Sequence, residues 1–230
     1  MDIFLLIVEY VGIVAFAVSG AMVAIDKEAD LFGVVMMAII TSFAGGIFRD
    51  LLLGITPPRF FTHYGLMVLI VAVSAVVVFI FAAAMKQYYV NNRSHMAAII
   101  NVFDAAGLGI FAVAGVAISI ETVGNNPYIA ITMGLITGVL GGSIRDVCLG
   151  TIPFIIRKRI YAIAVIAGSV VYYVLYVLTP IGVVWSTFAA AIVTFSLRIL
   201  ATVFKWNMPK AIIFSRPESS EKIGKENSVK

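Results

Sequence analysis

The sequence predicts an all-α polytopic membrane protein: seven transmembrane helices, arranged as two inverted three-helix repeats followed by a seventh helix. Three observations carry that reading. Of 230 residues, 62% are hydrophobic and only 12% are charged, with a mean hydropathy of +1.07; soluble domains carry about a quarter charged residues. Apolar runs of about 18 residues or more, long enough to cross a hydrocarbon core, recur along the chain. Finally, one ten-residue segment is written twice. Gly45-Gly46-Ile47-Phe48-Arg49-Asp50-Leu51-Leu52-Leu53-Gly54 returns as Gly141-Gly142-Ser143-Ile144-Arg145-Asp146-Val147-Cys148-Leu149-Gly150, with six of ten positions identical.

Polar punctuation divides the apolar runs into spans at roughly 3–25, 31–53, 64–86, 97–120, 127–149, 160–178 and 181–204. The breaks are Asp26 to Asp30, Thr56-Pro57-Pro58-Arg59, Asn91 to Ser94, Gly124 to Pro127, Arg157-Lys158-Arg159 and Thr179-Pro180. The last is so short that spans six and seven must form a hairpin. Span one has small residues like a signal-peptidase site at Ala17 to Ala21, but no Lys or Arg precedes it. It also matches span four, since Gly12, Phe16, Ala17, Val18 and Gly20 recur as Gly107, Phe111, Ala112, Val113 and Gly115. Span one therefore belongs to the fold. The domain plan is a transmembrane unit over 1–204, with repeat one at about 3–86, repeat two at about 97–178 and the extra helix at about 181–204. A basic tail over 205–230, expected to be disordered, holds six of the sixteen Lys and Arg.

Loop charge sets an orientation. The connections after spans one, three and five hold Lys27, Lys86, Arg93 and Arg157 to Arg159, while the other connections hold only Arg59. Under the positive-inside rule the N-terminus lies outside and the C-terminal tail is cytoplasmic. The two copies lie about 95–96 residues apart and each holds three spans. Three is odd, so the second copy enters the membrane from the opposite side: an inverted repeat about an in-plane two-fold axis.

The repeat assigns depth to the charges. Arg49, Asp50 and Glu9 fall in the outer half, and Arg145, Asp146 and Asp104 in the inner half. Together these six line one route through the protein as an ion pathway or gate. Full charges within spans are costly and point to function; the alternative for an arginine is a buried structural ion pair or snorkelling toward the headgroups. Adjacent residues on a helix point about 100° apart, so each arginine should find its acid elsewhere than on the next residue. The paired glycines Gly45, Gly46, Gly141 and Gly142 either kink spans two and five at the pore or let helices pack closely. Arg198, near the end of span seven, reads as snorkelling; Tyr172, Tyr173 and Tyr176 read as interfacial anchors. His63 and His95 read as solvated loop residues.

Several function classes drop out. One cysteine, Cys148, excludes a disulfide framework. No nucleophile–base arrangement, phosphate-cradling loop or metal-ligand spacing is present, so the chain reads as no enzyme, with no catalytic residue, no metal and no cofactor. The basic balance is an orientation signal, with no case for nucleic acid.

At the doubled Gly-Gly-x-x-Arg-Asp motif the chain resembles the prokaryotic branch of the trimeric intracellular cation (TRIC) channel family, also labelled a glycine-transporter-domain membrane family. The resemblance covers about residues 1–205. It implies a homotrimer in the plasma membrane of a prokaryote, surrounded by lipid, each protomer holding its own pore for potassium and other monovalent cations. It also implies that spans two and five kink at their glycines to line that pore. The basic pore motif of the animal members is absent. A second reading, a secondary transporter of a small solute such as glycine, stays open, because an inverted repeat with broken helices serves either.

Overall fold

A computed structural model describes residues 3–62, 65–157, 160–204 and 206. Ten helices occur among them: α1 Ile3–Asp26, α2 Leu31–Leu52, α3 Arg59–Thr62, α4 Gly65–Ala84, α5 Lys86–Asn91, α6 Arg93–Val123, α7 Pro127–Cys148, α8 Phe154–Arg157, α9 Ile160–Val177 and α10 Val183–Val203. Seven of these, α1, α2, α4, α6, α7, α9 and α10, are long and apolar enough to cross a membrane. They match the seven expected spans to within a few residues, with one extension: α6 runs for 31 residues. It therefore takes in His95, which is exposed on the first turn of a helix instead of in a loop. The short helices α3, α5 and α8 are too brief to leave a periodic signal in the sequence. His63, Lys158, Arg159 and the tail over 205–230, Trp206 excepted, lie outside the described residues.

The repeat is visible in local chemistry first. α2 starts at Asp30, whose carboxylate accepts from the Gly33 N–H at 2.7 Å. α7 starts at the equivalent Asn126, which accepts from the Ile129 N–H at 3.2 Å, with Pro127 following. Both caps satisfy amides that the first turn leaves unpaired. The other ends match as well. Gly54 and Gly150 have φ of 72° and 67°, a region open to glycine at little cost. Around each, two reversed hydrogen bonds close the helix: Ile55 N–H to the Asp50 carbonyl and Gly54 N–H to Leu51, then Thr151 N–H to Asp146 and Gly150 N–H to Val147. The final Leu-Gly of the doubled motif is thus a helix stop, written twice.

Packing then joins the triplets. α1, α2 and α4 pack mutually, as do α6, α7 and α9, and the halves meet through α1 against α6 and α2 against α7. These contacts are reciprocal, as a two-fold axis requires. Phe16 stacks on its own equivalent, Phe111, with ring centroids 5.0 Å apart and planes 19° apart. A β-carbon on Gly45 would strike the Thr137 carbonyl, and one on Gly141 would strike the Thr41 carbonyl. Thr41 and Thr137 are themselves equivalents, each donating to the carbonyl four residues back at 2.6 Å. α10 stands outside this symmetry and packs against α6 and α9. Its backbone closes on Gly109, where a β-carbon would lie 2.9 Å from the Ala191 carbonyl.

α2 and α7 remain helical through both glycine pairs, and the first glycine of each pair permits the close backbone approach that is one of its two readings. One expectation is corrected here. Tyr172 and Tyr173 are buried, not interfacial. Tyr172 stacks on Tyr176 at 5.4 Å, and Tyr173 donates to the Asn125 carbonyl at 3.3 Å.

Candidate functional site

The crossing of α2 and α7 determines where the charges fall. Gly45 meets Thr137 while Gly141 meets Thr41, so the helices cross antiparallel. Arg49 lies one turn beyond Gly45 in one direction and Arg145 one turn beyond Gly141 in the other. With 1.5 Å per residue, the two arginines stand roughly 18 Å apart along the helix axes. Both are fully buried, at 0% exposure.

In the first cluster, Arg49 Nε donates to Asp50 Oδ1 at 2.9 Å and Nη2 lies 2.8 Å from the same oxygen. Arg59, at the start of α3, brings Nη2 to 3.6 Å of Asp50 Oδ1. The other carboxylate oxygen of Asp50 accepts from the Arg59 backbone N–H at 2.9 Å and caps α3. Arg49 Nη1 finds no hydrogen-bond partner among the described residues. A cavity of about 10 Å³, room for about one water, lies beside this group and is lined by Glu9, Ser42, Gly46, Asp50 and Phe111. Glu9 is buried, at 3% exposure.

The second cluster repeats the core of this arrangement and adds to it. Arg145 Nε donates to Asp146 Oδ1 at 2.9 Å, with Nη2 at 2.8 Å. Asp146 Oδ2 caps α8 by accepting from the Phe154 N–H at 3.1 Å. Arg145 Nη1 also reaches Asp104 Oδ1 at 3.3 Å and Ser19 Oγ at 2.9 Å, the latter on α1 of the other triplet. The second glycine of each pair lies against its arginine at ordinary contact distance, and Gly142 also faces the Tyr161 hydroxyl, which a β-carbon would approach to 2.9 Å. A β-carbon on Gly46 would lie 3.5 Å from Arg49 Nη2, and one on Gly142 would lie 3.6 Å from Arg145 Nη2.

All six charged residues singled out from the sequence are thus buried: Arg49 and Arg145, the three acids Asp50, Asp104 and Asp146 in ion-pair contact with them, and Glu9 beside Asp50. Their pairing differs from expectation. Each arginine sits on the acid that follows it, because a long side chain can curl back where two Cβ directions diverge. Arg198 does not snorkel. It is 2% exposed, donates to Thr202 Oγ1 at 2.8 Å and Asn101 Oδ1 at 3.2 Å, and stacks over Tyr161 and Phe154 at 5.0 and 5.6 Å. Ser19, Arg59, Tyr161 and Arg198 were invisible to sequence reasoning as site residues. For Arg198 alone a signal existed: Thr194 and Thr202 flank it at four residues on either side, making a polar stripe on an otherwise apolar helix.

A helical bundle of two interlocked inverted triplets, with a buried Arg–Asp pair at each end of its central crossing, has the architecture of membrane transport proteins. Comparison with known proteins narrows the class. The family described as "Glycine transporter" matches the chain twice, over residues 6–83 and 101–177, one match per triplet. The membrane protein YvgT of Bacillus subtilis is 31% identical over 208 residues, covering 88% of this chain and 94% of that protein. The inner membrane protein YadS of Escherichia coli is 31% identical over 202 residues, covering 87% and 91%. Among solved structures, the TRIC trimeric intracellular cation channel orthologue from Rhodobacter sphaeroides superposes with a TM-score of 0.78 at 32% identity, covering 89% of this chain and 100% of that one. A prokaryotic TRIC channel crystallised in 0.5 M KCl superposes with a TM-score of 0.75 at 34% identity, covering 90% and 100%. The chain belongs to this family, the prokaryotic branch of the TRIC channels, whose repeat unit carries the glycine-transporter label.

Proposed function

We propose that the protein is a monovalent cation channel, permeable to potassium, with one pore in each protomer of a homotrimer. The observation that carries this reading is the pair of buried Arg–Asp clusters on either side of a glycine crossing between α2 and α7. A bare arginine beside a narrow path would repel a cation by about 4 kcal/mol at 4 Å and an effective dielectric near 20. Acids in ion-pair contact with Arg49 and Arg145 offset that repulsion. Cations then pass along α1, α2, α6 and α7, and Arg49, Asp50, Glu9, Arg145, Asp146 and Asp104 act as the ion pathway or gate. With α2 and α7 in backbone contact, the conformation is occluded at its centre, and conduction requires those helices to part there.

Similarity at 32–34% identity to solved TRIC cation channels supports the same reading and favours a channel over an enzyme. Purified protein in liposomes, assayed side by side for potassium flux and glycine uptake, tests it. Valinomycin-independent potassium flux without saturable glycine uptake is the expected result. Saturable glycine uptake with no potassium current would make it a secondary transporter.

The protein is further proposed to lie in the plasma membrane of a prokaryote with its N-terminus outside and its tail cytoplasmic. Lys27, Lys86 and Arg93 gather at one end of the bundle, where α1 meets α2 and α4 meets α6, and the positive-inside rule makes that end cytoplasmic. A reporter fused after Lys230 should be active only in the cytoplasm; periplasmic activity reverses the orientation.

A further inference from the structure

Arg198 poses a question that the repeat does not answer. It is a buried cation on the one spanning helix outside the symmetry, and among the described residues no carboxylate lies within ion-pairing distance of it. Its partners are an amide oxygen, a hydroxyl and two aromatic faces, which solvate a guanidinium without neutralising it. A buried charge needs a compensating one.

The second cluster holds the surplus that matches. There one arginine, Arg145, contacts two carboxylates, Asp104 and Asp146. Phe154 links the two cations, with Arg145 Cζ 5.9 Å and Arg198 Cζ 5.6 Å from its ring centroid. The first cluster is arranged the other way round: one acid, Asp50, contacts two arginines, Arg49 and Arg59, and Glu9 shares its cavity. Each end therefore holds two acids and two arginines, and at each end the second arginine comes from outside the doubled motif. α3 supplies Arg59 and α10 supplies Arg198.

We propose that Arg198 is an electrostatic positioning residue of the second cluster, whose charge balances the extra acid and so sets how strongly that end of the path holds a cation. The proposal rests on the channel reading above. Its consequence is directional. Without Arg198 the cluster carries a net negative charge, concentrates cations and conducts them faster at low salt.

The test is unitary potassium conductance of the reconstituted full-length protein for wild type, Arg198→Gln and Arg198→Lys, at about 0.01 M and about 1 M KCl, where the Debye length is about 30 and about 3 Å. Arg198→Gln should raise conductance about two-fold or more at low salt, with the difference collapsing at high salt. Arg198→Lys keeps the charge but loses the planar stack, and should conduct like wild type in both. A purely packing role would instead disturb both variants alike, with no dependence on salt, and would overturn the proposal; so would unchanged conductance in Arg198→Gln. Where Arg198→Gln does not assemble, Asn101→Asp decides, because it sets a carboxylate against Arg198 and should raise low-salt conductance in the same sense, its failure to do so counting against the proposal. A wild-type protein that assembles but passes no potassium current defeats the channel reading itself, and this inference with it.

Discussion

Replacing Arg145 by alanine is expected to destabilise the folded protein by about 3–5 kcal/mol, the cost of stripping a buried ion pair of one partner. The loss should be large because Arg145 serves three groups at once: Asp104 at 3.3 Å, Asp146 at 2.8 Å and Ser19 at 2.9 Å. Asp104, at 0% exposure, would be left as a buried carboxylate on an apolar helix. Arg49→Ala should cost less, because Asp50 keeps Arg59 within 3.6 Å. Thermal unfolding in detergent measures the difference. Adding Asp104→Asn to Arg145→Ala should recover part of the loss, since the second change removes the orphaned charge. If Arg145→Ala melts like wild type, or the double variant is worse than the single, the pair does not hold the fold as described. In assembled protein both arginine variants should also alter conductance or open probability, acting from opposite ends of the path. Unchanged currents in both would make these arginines structural only.

Gly45→Ala and Gly141→Ala should have the next largest effect. The added carbon meets backbone, the Thr137 and Thr41 carbonyls respectively, and backbone cannot turn aside as a side chain can. Overpacking of this kind costs about 1–3 kcal/mol or more. α2 and α7 must separate at their crossing, so each variant should be less stable and, in the channel reading, open more often. By symmetry the two substitutions should have similar effects. Gly65→Ala is the control, since nothing lies within 4 Å of a β-carbon there. Thermal unfolding and single-channel open probability test both halves of the expectation. Wild-type stability and gating in both alanine variants would mean that the crossing relaxes without cost and is not the point of occlusion.

The spans were legible because they are written in local, one-dimensional terms. Each is a long apolar run closed by polar or proline punctuation, and lipid leaves a chain few options other than helix. The caps at Asp30 and Asn126 and the stops at Gly54 and Gly150 are equally local, depending on residues no more than five positions away. The repeat was legible because its two copies share residues that serve the same local ends. Arg49, Asp50, Arg145, Asp146, Glu9 and Asp104 stood out because charge within a span is rare.

Partner choice was not legible, because it depends on distance in space. Arg145 finds Ser19 across 126 residues, and Arg198 finds Asn101 across 97. A helical wheel fixes where Cβ points, yet it says nothing of how a guanidinium on a long flexible stem will turn, and so each arginine settled on the neighbour that simple geometry had ruled out. Tyr172 and Arg198 were assigned to the membrane interface on composition alone, while α6, α9 and α10 in fact enclose them. The sequence alone determined the seven helices, their ends to within a few residues, their two-fold relation and the charges they carry. Tertiary packing alone decided that the first glycine of each pair would meet the facing helix's backbone, and that a helix outside the repeat would bring Arg198 against Phe154 and Tyr161 beside one charged cluster. Burial and approach distance are properties of neighbours that meet only once the chain has folded.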